Sequence, residues 1–204
     1  MNFTVSAYGD KAVLIELQSG KPVEYLEQMQ KMFPEANVRV GLQSLMISFP
    51  ESADYVERVE NACVDLTPSE INGNGKEITI AVDYTGEDLE SASALLGMTT
   101  SELIKLHQET IWQVALIGFA PGFPYLVPIN QTRFENLARL ETPRERVPAG
   151  AVAIAAGMSC VYPSAMPGGW HLIGTTTANL FDENSNQNPS LLSAGDVVRF
   201  RESK

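Results

Sequence analysis

Apolar and polar positions alternate along the first third of the chain in two different periods. Residues 3–5 and 12–17 alternate every second position, as half-buried strands do, with Tyr8, Gly9 and Asp10 as the turn between them. Pro22 then stands where a first helical residue belongs, and Val23, Leu26, Met29 and Phe33 follow at steps of three or four until Pro34 stops the helix. Residues 38–40 and 45–49 predict two more strands. Ser52 is placed to cap a helix whose apolar stripe is Tyr55, Val59, Ala62, Cys63 and Leu66. A turn cluster, Asn72-Gly73-Asn74-Gly75, precedes a strand at 76–82 in which Ile78, Ile80 and Val82 alternate with polar positions. With the short first strand set aside, the order is βαββαβ, a split βαβ or ferredoxin-like arrangement.

The texture then changes. Residues 86–96 predict a helix ended by Gly97, and Thr99 with Glu102 has capping-box spacing for a second, with His107 near its end. Residues 111–117 form an apolar run. After it come short β-like runs at 151–155, 160–162, 170–173 and 197–201, broken by glycine and proline, with a further short helix expected only around 134–140. Many short strands with irregular loops predict a barrel or sandwich. The expected organisation is α+β: a ferredoxin-like domain at 1–83 and a β-barrel domain at 84–204, with residues 86–109 as a helical connector. The polar stretch 182–189, DENSNQNP, predicts a mobile surface loop.

Composition narrows the function classes. The chain of 204 residues carries 25 acidic and 14 basic side chains, a formal charge of −11. That excess argues against nucleic-acid partners, whose binding rests on neutralising phosphates. No apolar run is long enough to span a membrane, and the N-terminal residues lack the pattern of a secretory signal. Two cysteines are too few for a disulfide framework and, with two histidines, too few for a structural zinc site, so no metal is expected. A cytoplasmic protein is the simplest reading. No GxxxxGK[ST], GxGxxG or GxSxG motif is present, so no cofactor and no nucleotide site of Walker type is expected on this chain.

The chemistry is concentrated in four loops: GFAPGFPYL at 118–126, ETPRERVPAG at 141–150, VYPSAMPGGW at 161–170 and LIG at 172–174. The first is too rich in glycine and proline for a helix or a central strand, yet it carries rings of a kind usually buried. Such loops suit a rigid recognition surface: glycines allow close backbone approach, prolines limit the entropy lost on binding, and aromatics wall small-molecule pockets or anchor interfaces. The candidate binding or interface residues are Phe119, Pro121, Gly122, Phe123, Pro124, Tyr125, Pro148, Gly150, Tyr162, Pro163, Gly168, Gly169 and Trp170. Phe123, Tyr125 and Trp170 are expected as pocket walls. Arg133, Arg139, Arg144 and Arg146 cluster in an otherwise acidic chain, and Arg144 and Arg146 are the pair expected to hold an acidic group. His107 is the candidate catalytic acid–base group near neutral pH. The competing structural readings are that the rings plug barrel corners and that His107 answers a helix dipole.

These loops resemble the family of the 5-oxoprolinase B subunit, also called KipI or allophanate hydrolase subunit 1. The matching stretches are GFAPGFPYL, TPRERVPAGAVAIAAG at 142–157, VYP at 161–163, MPGGWHLIG at 166–174, LFD at 180–182 and AGDVVRF at 194–200, with AYGDKAVLIEL and LHQETIWQVALIGF upstream. The resemblance implies a ferredoxin-like domain followed by a cyclophilin-like β-barrel. It also implies a bacterial enzyme component that works with two sister proteins, the A subunit and the barrel-built C subunit. That assembly opens 5-oxoproline to glutamate with ATP, which the assembled enzyme uses. The alternatives within the family are an inhibitor of a sensor histidine kinase and a component of an allophanate- or urea-linked amidohydrolase or carboxyltransferase. A small acidic or amide substrate is implied in each enzymatic case. The chain departs from the family pattern at Met158 and Cys160, where QTGIYP is usual, at Thr175 and Thr177, where GRTP is usual, and at Ala138, where a proline is usual.

Overall fold

The computed structural model describes residues 3–68, 75–129, 132–185 and 188–203. The chain divides into two compact units, residues 1–74 and 75–204. Asn72, Gly73 and Asn74 of the expected turn cluster lie outside the described residues, as do Asn186 and Gln187 of the expected polar loop.

In the first unit, β1 (Phe3–Tyr8), β2 (Ala12–Leu17), β3 (Asn37–Val40) and β4 (Ser44–Ser48) form an antiparallel sheet in the order β1-β2-β4-β3. Val13, Ile15, Leu45 and Ile47 point to one face, as the period of two requires, and meet Met29 of α1 (Leu26–Met32) with Val59 and Cys63 of α2 (Val56–Val64). Pro22 opens a single 3-10 turn that leads into α1. Ser52 does not cap α2. Its hydroxyl donates to Asp10 at 2.8 Å, and Asp54 accepts from the Val56 amide at 3.1 Å instead.

The ferredoxin-like expectation requires residues 76–82 as a strand beside residues 12–17. That place is taken by β1, which pairs with β2 along its whole length. The segment at 76–82 does form a strand, β5 (Glu77–Val82), but in the second unit. Its partner is the last strand of the chain, and such a partner could not be foreseen from alternation alone, because period two specifies a face and not a neighbour.

The second unit is built on a seven-stranded, barrel-like sheet. Its strands are β6 (Trp112–Ile117), β7 (Pro124–Pro128), β9 (Ala151–Ala155), β10 (Met158–Val161), β12 (His171–Thr175), β13 (Val197–Glu202) and β5, in the order β12-β9-β10-β7-β6-β13-β5. Only the β13–β5 pair is parallel. The two edges nearly meet: Asp83 and Thr175 exchange backbone hydrogen bonds of 2.8 Å, and the amides of Gly86 and Asp88 donate to the carbonyls of Ile173 and Leu172. A side chain at Gly86 would run into the backbone of residues 172–174, so glycine there is a condition of closure. A separate two-stranded antiparallel ribbon, β8 (Arg144–Val147) with β11 (Met166–Gly168), lies outside the main sheet. Trp112, Val114, Leu126, Val152, Ile154, Val161, Val198 and Phe200 fill the interior, and α3 (Leu89–Leu95) and α4 (Thr100–Glu109) add Ala92 and Leu103 to the same core.

The capping box at Thr99 and Glu102 is present in full, and α3 ends at Gly97 with φ of 65°. Residues 134–140 contain only a 3-10 turn, Phe134–Asn136. β7 corrects the expectation that GFAPGFPYL contributes to no central strand. It lies between β10 and β6, and its prolines are confined to its first and last residues, where missing amide donors cost least.

Candidate functional site

β6 and β7 are joined by a tight connection at residues 118–123. The Gly118 amide donates to the Phe123 carbonyl at 3.1 Å, and the Phe123 amide donates to the Ala120 carbonyl at 3.0 Å. This turn holds Phe119 at φ of 69°, a left-handed conformation that is uncommon for a non-glycine residue, and leaves its ring 67% exposed. Phe123, four residues on, is buried, and the two rings meet edge to face at 5.4 Å. One turn therefore carries one ring into the core and holds another out in solvent.

Phe123 is the centre of an aromatic cluster. Tyr125 and Tyr162 each lie 5.2 Å from it, and Trp170 lies 6.4 Å away, all edge-on. Trp170 also meets Tyr125 at 6.0 Å. Edge-to-face contacts at these spacings favour fixed ring positions. The cluster walls a cavity of about 300 Å³, whose lining is completed by Phe119, Arg139, Leu140, Pro143, Pro167, Gly168 and Gly169. That volume is near the lower end of small-molecule pockets, and an apolar wall with few polar groups is their usual composition. Gly168 is required by Tyr162: a Cβ at that position would fall on the Tyr162 hydroxyl.

The cavity's charge comes from Arg139. Its guanidinium lies 5.6 Å from the centre of the Trp170 ring, a cation–π contact. None of the ion pairs among the described residues engages it. Burial raises the pKa of the Tyr125 hydroxyl, against the opposing pull of Arg139, and raises that of Tyr162 further. Both phenols are therefore neutral at physiological pH, and no carboxylate stands among the described lining residues to compete for Arg139.

The two arginines expected to bind an acidic group are placed otherwise. Arg144 is engaged by the protein itself. Its Nη2 donates to both carboxylate oxygens of Asp88 at 2.7 and 2.8 Å, its Nε reaches Glu87 at 2.7 Å, and its Nη1 donates to the Trp170 carbonyl at 3.4 Å. Asp88 also accepts from the Leu172 amide at 2.7 Å, so the pair ties the start of α3 to β8 and to the strand that follows Trp170. Arg146 is exposed on β8 and does not line the cavity.

His107 is corrected as well. It is fully buried in the barrel core, stacked on Phe200 at 4.4 Å, and absent from the cavity lining. Ser159 donates to the Ala153 carbonyl at 3.2 Å and so accepts from His107 Nε2 at 3.0 Å, while Nδ1 accepts from the Tyr84 hydroxyl at 2.8 Å. Both ring nitrogens are used, and burial lowers the pKa to about 3. The ring is a neutral structural link, with no free nitrogen to exchange protons with a substrate.

Of the remaining expected residues, Phe119, Phe123, Tyr125, Tyr162, Gly168, Gly169 and Trp170 come together at the cavity. Pro121 and Gly122 shape the β6–β7 turn, and Pro124 begins β7. Pro148 and Gly150 make the β8–β9 turn, where the Gly150 amide donates to the Tyr162 carbonyl at 2.8 Å, and Pro163 follows β10. They support the walls without lining them. Met158 is partly buried beside the cluster and Thr175 is exposed at the barrel closure, so neither departure from the family pattern falls on the cavity lining. Sequence reasoning misses Arg139 as a candidate in its own right. The available signal is its place within the arginine cluster.

Comparison with known proteins agrees with this architecture. Residues 3–192 match the family model for the carboxyltransferase domain, subdomain C and D. The chain is 38% identical over 184 residues to the 5-oxoprolinase B subunit of Haemophilus influenzae, across 86% of this chain and 83% of that one. It is 34% identical over 204 residues to the protein of the same name from Escherichia coli O157:H7, across 94% and 92% of the two chains. The crystal structure of TTHA0988 superimposes with a TM-score of 0.76 at 28% identity over 95% of this chain, which spans 40% of that longer one. Matched at this level over most of its length, the chain belongs to the 5-oxoprolinase B-subunit family of carboxyltransferase-domain proteins.

Proposed function

We propose that this protein is the non-autonomous B subunit of an ATP-dependent 5-oxoprolinase, which opens the lactam of 5-oxoproline to give glutamate together with its A and C subunits in the cytoplasm. The observation that carries the reading is the cavity of about 300 Å³ walled by Phe123, Tyr125, Tyr162 and Trp170, with the Arg139 guanidinium, in no ion pair among the described residues, beside it. Its size suits a small ring and its charge suits a carboxylate. The relatives named for the same 5-oxoprolinase component support the assignment. The cyclophilin-like description of the barrel belongs to this reading too.

The test is 5-oxoproline-dependent ATP hydrolysis by this chain co-purified with the A and C subunits, with each omitted in turn. Activity that needs all three is expected. A stable complex without turnover would overturn the substrate, and allophanate would then be assayed. A second reading, a binding protein that inhibits a sensor histidine kinase, draws on the exposed Phe119 ring held out by the β6–β7 turn. It requires a kinase complex formed without either enzyme partner, measured by the same co-purification.

A further inference from the structure

The cavity offers one group that can recognise charge. Among its described lining residues, Arg139 is the one cation and none is a carboxylate. The guanidinium is not taken up by an ion pair among the described residues, in contrast to Arg144 a few residues on, which is held by Asp88 and Glu87. Its aromatic partner is Trp170, whose backbone carbonyl is in turn fixed by Arg144. An arginine supported on an aromatic face keeps its five donors directed outward in a fixed fork, the geometry that grips a carboxylate with two bonds.

We infer that Arg139 is the carboxylate anchor of the cavity, and that it selects small mono-anionic ligands whose compact body packs against the aromatic wall of Tyr125 and Trp170. One guanidinium matches one carboxylate. The apolar walls disfavour a second charge, which would be desolvated without a partner. A nucleotide or a polyphosphate is excluded on both grounds. The choice of 5-oxoproline as the probe rests on the proposed function; the assignment of Arg139 as the anchor does not.

The experiment is calorimetric titration of the full chain, alone and co-purified with its partner proteins, with three probes: 5-oxoproline, 2-pyrrolidinone, which is the same ring without the carboxylate, and cyclopentanecarboxylate, which keeps the carboxylate but lacks the lactam. Each is measured against the unaltered chain, Arg139→Ala, Arg139→Lys and a control in the other unit, Arg39→Ala. Arg139→Ala is expected to weaken 5-oxoproline by roughly 10- to 100-fold, the range of a charge-assisted bond removed from a sheltered site. Arg139→Lys is expected to recover part of that loss. 2-Pyrrolidinone is expected to bind the unaltered chain and Arg139→Ala equally. Loss of the carboxylate from the ligand and loss of the guanidinium from the protein then have the same cost and do not add. If cyclopentanecarboxylate binds through Arg139 while 5-oxoproline does not, the anchor stands and the substrate reading falls. If 5-oxoproline binds Arg139→Ala as tightly as the unaltered chain, or if no probe binds in either form, the anchor is overturned.

Discussion

The sharpest consequence of the fold concerns His107 and acid. Burial holds this ring at a pKa of about 3, against an ordinary value of 6.5. The folded value lies below the unfolded one, so between those two pH values the unfolded chain binds the proton more readily. The stability tied to the neutral ring is fully present above about pH 6.5 and is lost as the pH falls below it. At pH 5 the native ring is still neutral, whereas in the unfolded chain about 97% of it is charged; the loss is therefore about 2 kcal/mol. This is a large share of a domain's usual margin. The assay is urea unfolding at pH 7.5, 6 and 5, followed by tryptophan emission. Trp112 and Trp170 both lie in the second unit, and so do both histidines, so the signal and the cause are in the same body. His107→Gln keeps a donor and an acceptor for Ser159 and Tyr84. It is expected to be less stable at pH 7.5, but to lose about 2 kcal/mol less between pH 7.5 and pH 5 than the unaltered chain. A second readout needs no variant: the ring protons of native His107 should not shift by NMR across this range. A midpoint near 6.5 in the folded protein, or identical pH slopes for the two chains, would refute the reasoning.

Other consequences are local. Gly168→Ala places a methyl group on the Tyr162 hydroxyl and should cost about 1–3 kcal/mol by overpacking, with part of that restored in urea melts when Tyr162→Phe is added. Asp88→Asn removes one carboxylate from a guanidinium whose side chain is only 24% exposed, with Glu87 left as its remaining charge partner. A loss of about 1–3 kcal/mol is expected, with a red shift of tryptophan emission as the Trp170 backbone loosens; unchanged emission would count against the clamp. Burial pushes Cys63 up to about 11 and holds Cys160 well above the ordinary thiol value, so at pH 8 a disulfide reagent should leave native thiols unlabelled and titrate two per chain in urea.

The sequence revealed elements better than partners, for reasons visible in particular residues. The capping box at Thr99 and Glu102, the stripe of α2 and the alternation of β2 and β4 are local signals, and local patterning decides them. The strand at 77–82 shows the limit. Its alternation was legible, but its neighbour is more than a hundred residues away in β13, and no property of Ile78 or Ile80 names Phe200 as the residue beside it. The same division runs through the site. The rings of GFAPGFPYL and PGGW were readable as candidate pocket walls or barrel plugs, and the fold sets Phe123, Tyr125 and Trp170 round one cavity. Which arginine serves that surface was not readable, since Arg139, Arg144 and Arg146 are chemically identical and differ only in what the fold sets beside them. Asp88 comes from a helix start 56 positions upstream of Arg144 and neutralises it, and no carboxylate among the described residues pairs with Arg139 in the same way. Among the described residues, Asp88 removes Arg144 from the cavity's charge and leaves Arg139 there. Removing Asp88 would not only loosen Trp170. It would return a second, less tightly held guanidinium to the neighbourhood of the cavity and blunt the selectivity for a single negative charge, an effect that titration of Asp88→Asn with mono- and dicarboxylates would measure directly.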